Sequence, residues 1–85
     1  MKKRILHLTL LKKWFDLIAC GKKIEEYREI KPYWTKRLIG NSFDEIYFKN
    51  GYNKNAPFMK VEWKGLKKGK DKYIISLGKI IEIKK

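Results

Sequence analysis

The chain turns on residues 11 to 28, Leu11-Lys12-Lys13-Trp14-Phe15-Asp16-Leu17-Ile18-Ala19-Cys20-Gly21-Lys22-Lys23-Ile24-Glu25-Glu26-Tyr27-Arg28, because the hydrophobic period changes in the middle of them. Up to Ala19, the residues Leu11, Phe15 and Ile18, with Trp14 beside them, fall three and four apart, the spacing of one helix face. Gly21 supplies a turn that ends such a helix and sends the chain back. From Ile24 to Ile30 the pattern reads as a strand, stopped by Pro32, which cannot donate to a ladder. A helix followed at once by a strand, joined by a tight glycine turn, predicts an α+β unit.

The flanking sequence extends that reading. Arg4 to Leu10 carries Ile5, Leu6, Leu8 and Leu10 around His7 and Thr9, a mostly buried first strand. A short helix from Pro32 to Leu38 begins with proline in its first turn, where the missing amide hydrogen costs nothing. Glu45 to Lys49 reads as a strand, Asn50-Gly51 as a turn, and Asn53 to Pro57 as a loop. Phe58 to Leu66 alternates as a half-buried strand, and Tyr73 to Leu77 and Lys79 to Ile83 predict two more strands on either side of Gly78. Five or six short strands with one or two helices cannot cover both faces of an open sheet, so a small curled sheet or barrel is expected.

At 85 residues the chain holds one domain, residues 1 to 85, with one modest core. Hydrophobic residues at 44% and aromatics at 14% suffice for a folded unit although charged residues reach 36%. The net charge is +13, from 22 basic against 9 acidic residues, and all the basic residues except Arg4, Arg28 and Arg37 are lysines. Such a field favours a polyanion: RNA, DNA, a nucleotide or an anionic membrane surface. A lysine-rich surface kept for solubility would give the same composition. Lys64, Lys67, Lys68, Lys70 and Lys72, clustered around Gly65 and Gly69, read as a basic loop able to hold a phosphate or simply to be solvated.

Cys20 is the single cysteine, which excludes an internal disulfide and a multi-cysteine metal site and makes a reducing location the expectation. Lys12, Lys13 and Asp16 interrupt the apolar run near the start, so no export segment is expected, and no stretch has the length of a membrane-spanning helix. The protein is expected to be soluble and cytoplasmic, without cofactor, metal or membrane partner.

The order of strand, short helix, Gly-x-Lys-x-x-Glu-x-Arg (Gly21, Lys23, Glu26, Arg28), strands and a terminal Tyr-Ile-Ile-Ser-Leu-Gly-Lys-Ile resembles the ASCH domain of the PUA-like superfamily, with Phe15-Asp16-Leu17-Ile18 as further support. The resemblance covers most of the chain. It implies a small PUA-like β-barrel with a cleft beside the first helix and a role in binding RNA or a nucleotide. Some ASCH-like proteins are amidohydrolases that remove the acetyl group of N4-acetylcytidine, with a motif similar to Gly-x-Lys-x-x-Thr-x-Arg. There the threonine is the proposed nucleophile, beside the lysine and a later glutamate. Position 26 here is Glu, so the hydroxyl is absent, and Glu62 is the counterpart available for the later glutamate.

The chemistry of the motif can be argued from the residues themselves. In a strand starting at Ile24, Glu26 and Arg28 share a face, because side chains alternate. Lys23 converges with Glu26 only if the Gly21 turn aims it to the same side. Lys23 and Arg28 would then flank a carboxylate whose charge they stabilise, leaving its oxygens to accept an exocyclic amino group while the cations reach phosphate. An ion-paired strand surface would use the same residues. A carboxylate can also act as a general base on water, so a hydrolase using Lys23, Glu26 and Glu62 is the alternative, against a cross-strand ion pair at Glu62.

Tyr33 and Trp34 interleaved with Lys36 and Arg37 have the composition that stacks a base and holds its phosphate, core packing of Trp34 being the equal alternative, and Tyr52 in the Asn50-Gly51 turn is a second stacking candidate, against a tyrosine folded back onto the sheet. The candidate ligand-binding residues are therefore Lys23, Glu26, Arg28, Tyr52, Trp34 and Arg37. His7, inside an apolar strand, reads as a hydrogen-bonded core or cleft-edge residue, and Cys20 as a helix end facing the core. Thr9, Thr35, Ser42 and Ser76 have no histidine spaced to activate them, so no nucleophilic triad is proposed.

Overall fold

The structure, a computed structural model, describes residues 3–84. Its elements run β1 (Ile5–Leu10), α1 (Lys12–Ala19), β2 (Glu25–Glu29), α2 (Pro32–Leu38), β3 (Glu45–Asn50), β4 (Phe58–Lys68) and β5 (Lys72–Lys84). The five strands form one sheet in the order β1-β3-β4-β5-β2, with β1 parallel to β3 and the other pairs antiparallel. The α+β expectation holds, and the sheet curls into a half-barrel whose two edges are β1 and β2. A parallel β1–β3 pair requires a crossover, and α1, β2 and α2 supply it.

Strand alternation sorts the core from the outside. Leu6, Leu8 and Leu10 of β1, Ile46 and Phe48 of β3, Met59 and Val61 of β4, and Tyr73 and Ile75 of β5 are buried together. Helix α1 adds Phe15 and Ile18, and α2 adds Leu38. Each such side chain contributes roughly 1.5–3 kcal/mol by leaving water. The Thr35 and Tyr73 hydroxyls, 2.6 Å apart, share a hydrogen bond that ties α2 to β5.

The Gly21 turn is built as its sequence requires. Gly21 has φ +81°, a left-handed conformation that a side chain disfavours, and the amides of Lys22 and Lys23 both donate to the Leu17 carbonyl. Two bonds onto one carbonyl wrap the chain tightly over the end of α1 and fix where Lys23 leaves it.

Two expectations are corrected. Tyr73–Leu77 and Lys79–Ile83 are one strand, because Gly78 accommodates an irregularity instead of ending the ladder. The β4–β5 register shifts around Val61, Trp63 and Gly65, and the Glu62 side chain lies against the Gly78 backbone. A Cβ on Gly78 would sit 2.9 Å from the Glu62 Cβ and 2.7 Å from the Lys64 Cε. The expected basic loop around Gly65 and Gly69 is also mostly strand: Lys64, Lys67 and Lys68 belong to β4 and Lys72 to β5, leaving only Gly69, Lys70 and Asp71 as the hairpin turn. Long-range pairing overrides the local glycine signal there.

No helix among the described residues is long and apolar enough to cross a membrane. A third expectation is corrected as well: Cys20 does not face the core but is exposed at the end of α1, its thiol 3.5 Å from the Leu17 carbonyl oxygen. His7 is also exposed, on the face of β1 opposite Leu6 and Leu8.

Candidate nucleic-acid interface

The two edges of the half-barrel, β1 and β2, meet without a ladder between them, and charged side chains occupy the seam. In the β2–β5 register Glu26 lies opposite Ile75 and Arg28 opposite Tyr73, both of which are buried, so the two charges point inward. Glu26 is only 4% exposed. Burying a lone carboxylate costs several kcal/mol, and it persists only when cations and hydrogen bonds offset the loss of water.

Three groups do so here. The Tyr27 amide donates to Glu26 Oε1 at 3.1 Å, Lys23 Nζ lies 3.7 Å from the same oxygen, and Arg28 Nη1 lies 3.0 Å from Oε2. The turn thus does bring Lys23 to the side of Glu26. Lys23 is held by two rings as well, its ammonium 4.3 Å from the Tyr27 centroid and 5.5 Å from that of Trp14.

Arg28 spans the seam. Its Nη1 donates to the Tyr27 carbonyl at 3.0 Å, its Nη2 donates to the Thr9 carbonyl of β1 at 3.4 Å, and its guanidinium stacks 5.1 Å from the Trp34 ring. Because Nη1 is directed at the backbone, Glu26 Oε2 has an ion-pair neighbour but no hydrogen bond. Arg28 Nε is likewise buried without an acceptor. An unused acceptor and an unused donor therefore stand side by side.

Both residues line a cavity of about 410 Å³ together with Thr9, Leu10, Leu11, Trp14, Lys23 and Tyr27. That size suits a small ligand or one nucleobase. Its walls are apolar and aromatic, and its floor carries the three charges. The Tyr27 phenol donates to Glu25 at 2.9 Å, and that bond, with burial, pushes its proton affinity up, so the ring stays neutral.

The other candidates separate. Trp34 supports Arg28 from behind. Tyr52 is 90% exposed beside a hollow of about 290 Å³ that adjoins the cleft through Thr9, Leu10 and Leu11. Arg37 stacks on Tyr33 at 5.0 Å and lines a different hollow with Arg4, Asn41 and Phe43. Glu62 does not line the cleft: it accepts the Lys79 amide at 2.9 Å and lies 3.8 Å from Lys64 Nζ. The Lys79 amide, then Lys64, hold its carboxyl below the ordinary value of 4.5.

Sequence reasoning missed Tyr27 as a wall. Strand alternation points it away from Glu26, but at an unpaired edge its ring is free to lie along Lys23 and the cleft rim. Among the described residues, no three His, Cys, Asp or Glu side chains gather as a metal site would require. In comparison with protein-family models, curated proteins and solved structures, the chain matches none, and the site is read from its own geometry.

Proposed function

We propose that this chain is a small RNA- or nucleotide-binding module that takes one base into the seam between β1 and β2, in keeping with the resemblance of its Gly21 to Arg28 segment to the ASCH domain. The observation that carries this reading is the pair of unpartnered buried atoms, Glu26 Oε2 and Arg28 Nε, on residues that line a cavity walled by Trp14 and Tyr27. A base that presents an exocyclic amino group beside a ring nitrogen or carbonyl satisfies both: the amino group donates to Oε2 and the neighbouring acceptor takes Nε–H. Cytosine and adenine offer an amino group beside a ring nitrogen, and guanine beside its N3. Lys23 at the rim and the excess of lysines meet the phosphates.

The amidohydrolase alternative has less support, because position 26 carries no hydroxyl and Glu62 is engaged by Lys79 outside the cleft. Incubation with N4-acetylcytidine, followed by chromatography, gives no product above background if the binding reading is right.

Filter-binding titrations with a short cytosine-containing single strand at two salt concentrations test the proposal itself. Wild-type affinity falls with salt, and Lys23→Ala and Glu26→Gln each weaken it about 10- to 100-fold, the worth of a hydrogen bond to a charged group. Wild-type affinity in both variants would sink the cleft and leave a nonspecific basic surface.

A further inference from the structure

The sheet has a second face, and apart from Thr9, which also borders the cleft, its side chains are not used there. Strand alternation that buries Leu6, Leu8, Ile46, Phe48 and Met59 places His7 and Thr9 of β1, Tyr47 and Lys49 of β3, Phe58 and Lys60 of β4, and Glu82 and Lys84 of β5 outward. The register sets these in two rows across four strands: His7, Tyr47, Lys60, Glu82, and Thr9, Lys49, Phe58, Lys84. The rings meet across the register, Tyr47 and Phe58 on the diagonal and His7 and Tyr47 side by side. Tyr47 and Phe58 stack with centroids 5.1 Å apart and planes 12° from parallel, and the His7 ring is 5.3 Å from Tyr47.

A cavity of about 500 Å³ opens over this cluster, and Lys49, Lys54 and Lys84 also line it. The acid of the upper row, Glu82, lies 3.4 Å from Lys60 Nζ and is thereby neutralised. Among the described residues, none of Lys49, Lys54 and Lys84 has a carboxylate within ion-pair distance, so this face presents three free cations around three exposed or half-exposed rings.

We infer that this outer face is a second binding surface, a platform for single-stranded nucleic acid on which unpaired bases stack against His7, Tyr47 and Phe58 while Lys49, Lys54 and Lys84 meet the phosphates. Aromatic rings on a sheet, edged by unpaired cations, are what an unpaired strand needs and a duplex cannot use, since its base faces are already stacked. A second copy of the chain is a poor occupant, because each brings +13 of like charge. The inference does not rest on the cleft.

Fluorescence anisotropy with a labelled octauridylate separates the two surfaces, because uracil has no exocyclic amino group to offer Glu26. The platform predicts that Tyr47→Leu and Phe58→Leu, which keep apolar packing but remove the ring, each weaken binding about 5- to 150-fold, with circular dichroism confirming an unchanged fold. Lys49→Gln and Lys84→Gln each reduce the slope of log affinity against log salt by about 0.7. Tyr47→Leu and Phe58→Leu, which lie outside the cleft, leave the affinity for cytidine monophosphate read at the Arg28 Nε–H resonance unchanged, so failure of the cleft and failure of the platform read differently. Octadeoxyuridylate in place of the RNA strand reports whether the 2′-hydroxyl contributes, and the platform predicts binding of both. Equal affinity of the ring variants and wild type, equal binding of duplex and single strand, or concentration-dependent dimerisation abolished by Phe58→Leu would each overturn the inference. If a leucine variant unfolds, backbone amide shifts of Tyr47 and Phe58 on adding octauridylate to the wild type decide the matter: movement supports the platform and its absence contradicts it.

Discussion

Glu26 and Glu62 are both carboxylates on strands of one sheet, each with lysine close by, and the structure treats them oppositely. Glu62 lies on the outside at the β4–β5 irregularity, where the Lys79 amide takes one of its oxygens and Lys64 neutralises it. Glu26 is buried at the seam, flanked by Lys23 and Arg28, with Oε2 left unbonded. Both carboxylates accept a backbone amide with one oxygen; the difference is that the second oxygen of Glu26 is buried without a hydrogen bond, and the proposed base-binding role rests on that oxygen.

The largest expected effect strips the seam of its charge. Glu26→Leu leaves Lys23 and Arg28 partly buried without a counterion and is expected to cost about 3 kcal/mol, read from the midpoint of a urea unfolding curve. Glu26→Gln keeps the shape and the Tyr27 bond and is expected to cost less. If both unfold like the wild type, the seam charges do not depend on Glu26 and the contrast with Glu62 fails.

Next comes the outer carboxylate. Gly78→Ala drives a Cβ against the Glu62 and Lys64 side chains and is expected to cost roughly 1–3 kcal/mol. In a Glu62→Ala, Lys64→Ala background the same change is expected to cost less, because the contacts with Lys64 Cε and the Glu62 carboxylate are gone and only that with the residue-62 Cβ stays. Additive costs in that cycle would show that the glycine is needed for some other reason.

The pH dependence of Glu62 sharpens the comparison further. The Lys79 amide and Lys64 hold Glu62 below its ordinary value, and Lys31 does the same to Glu29. A carboxylate depressed in the folded state adds stability above its unfolded value of about 4.5, and that contribution is lost as pH falls through the lower folded value. Glu62→Gln is therefore expected to flatten the loss of stability as pH falls below about 4.5, measured by thermal unfolding at a series of pH values. An unchanged profile would mean that the Lys79 bond does not persist in solution.

The smallest effect belongs to an exposed pair. Lys12 and Asp16 lie 2.7 Å apart, four residues along α1, with their side chains 79% and 50% exposed. Lys12→Ala is expected to change stability by less than about 0.5 kcal/mol. Proximity of opposite charges is thus a weak guide to importance in a chain with this many lysines, and burial is the better one.

The same contrast explains what could be read from the sequence. The glycine turn and the helix before it rest on contacts only a few residues apart, so their residues declare them, whereas the strand after it was legible from its own pattern and the Pro32 stop although its ladder partner β5 lies more than 40 residues on. The convergence of Lys23 on Glu26 could be written only as a condition, because it depends on how tightly the chain wraps the Leu17 carbonyl. Glu62 was ambiguous because its partner Lys79 lies 17 residues away across a shifted register. Gly78 was misread since a glycine that ends a strand and one that admits a neighbour's side chain look identical locally. The outer platform was missed for a related reason: His7, Tyr47 and Phe58 come from three strands, and only the parallel β1–β3 register sets the first two side by side.

The central claim is that Glu26 Oε2 and Arg28 Nε together receive a base, and it has a direct spectroscopic reading. With three arginines in the chain, the Arg28 Nε–H resonance can be assigned in a ¹⁵N-labelled sample by comparison with Arg28→Lys. Titration with cytidine monophosphate is expected to move that resonance downfield in a saturable way, and the shift is expected to vanish in Glu26→Gln. An Arg28 Nε–H that stays in place while cytidine monophosphate shifts amides elsewhere would contradict the account.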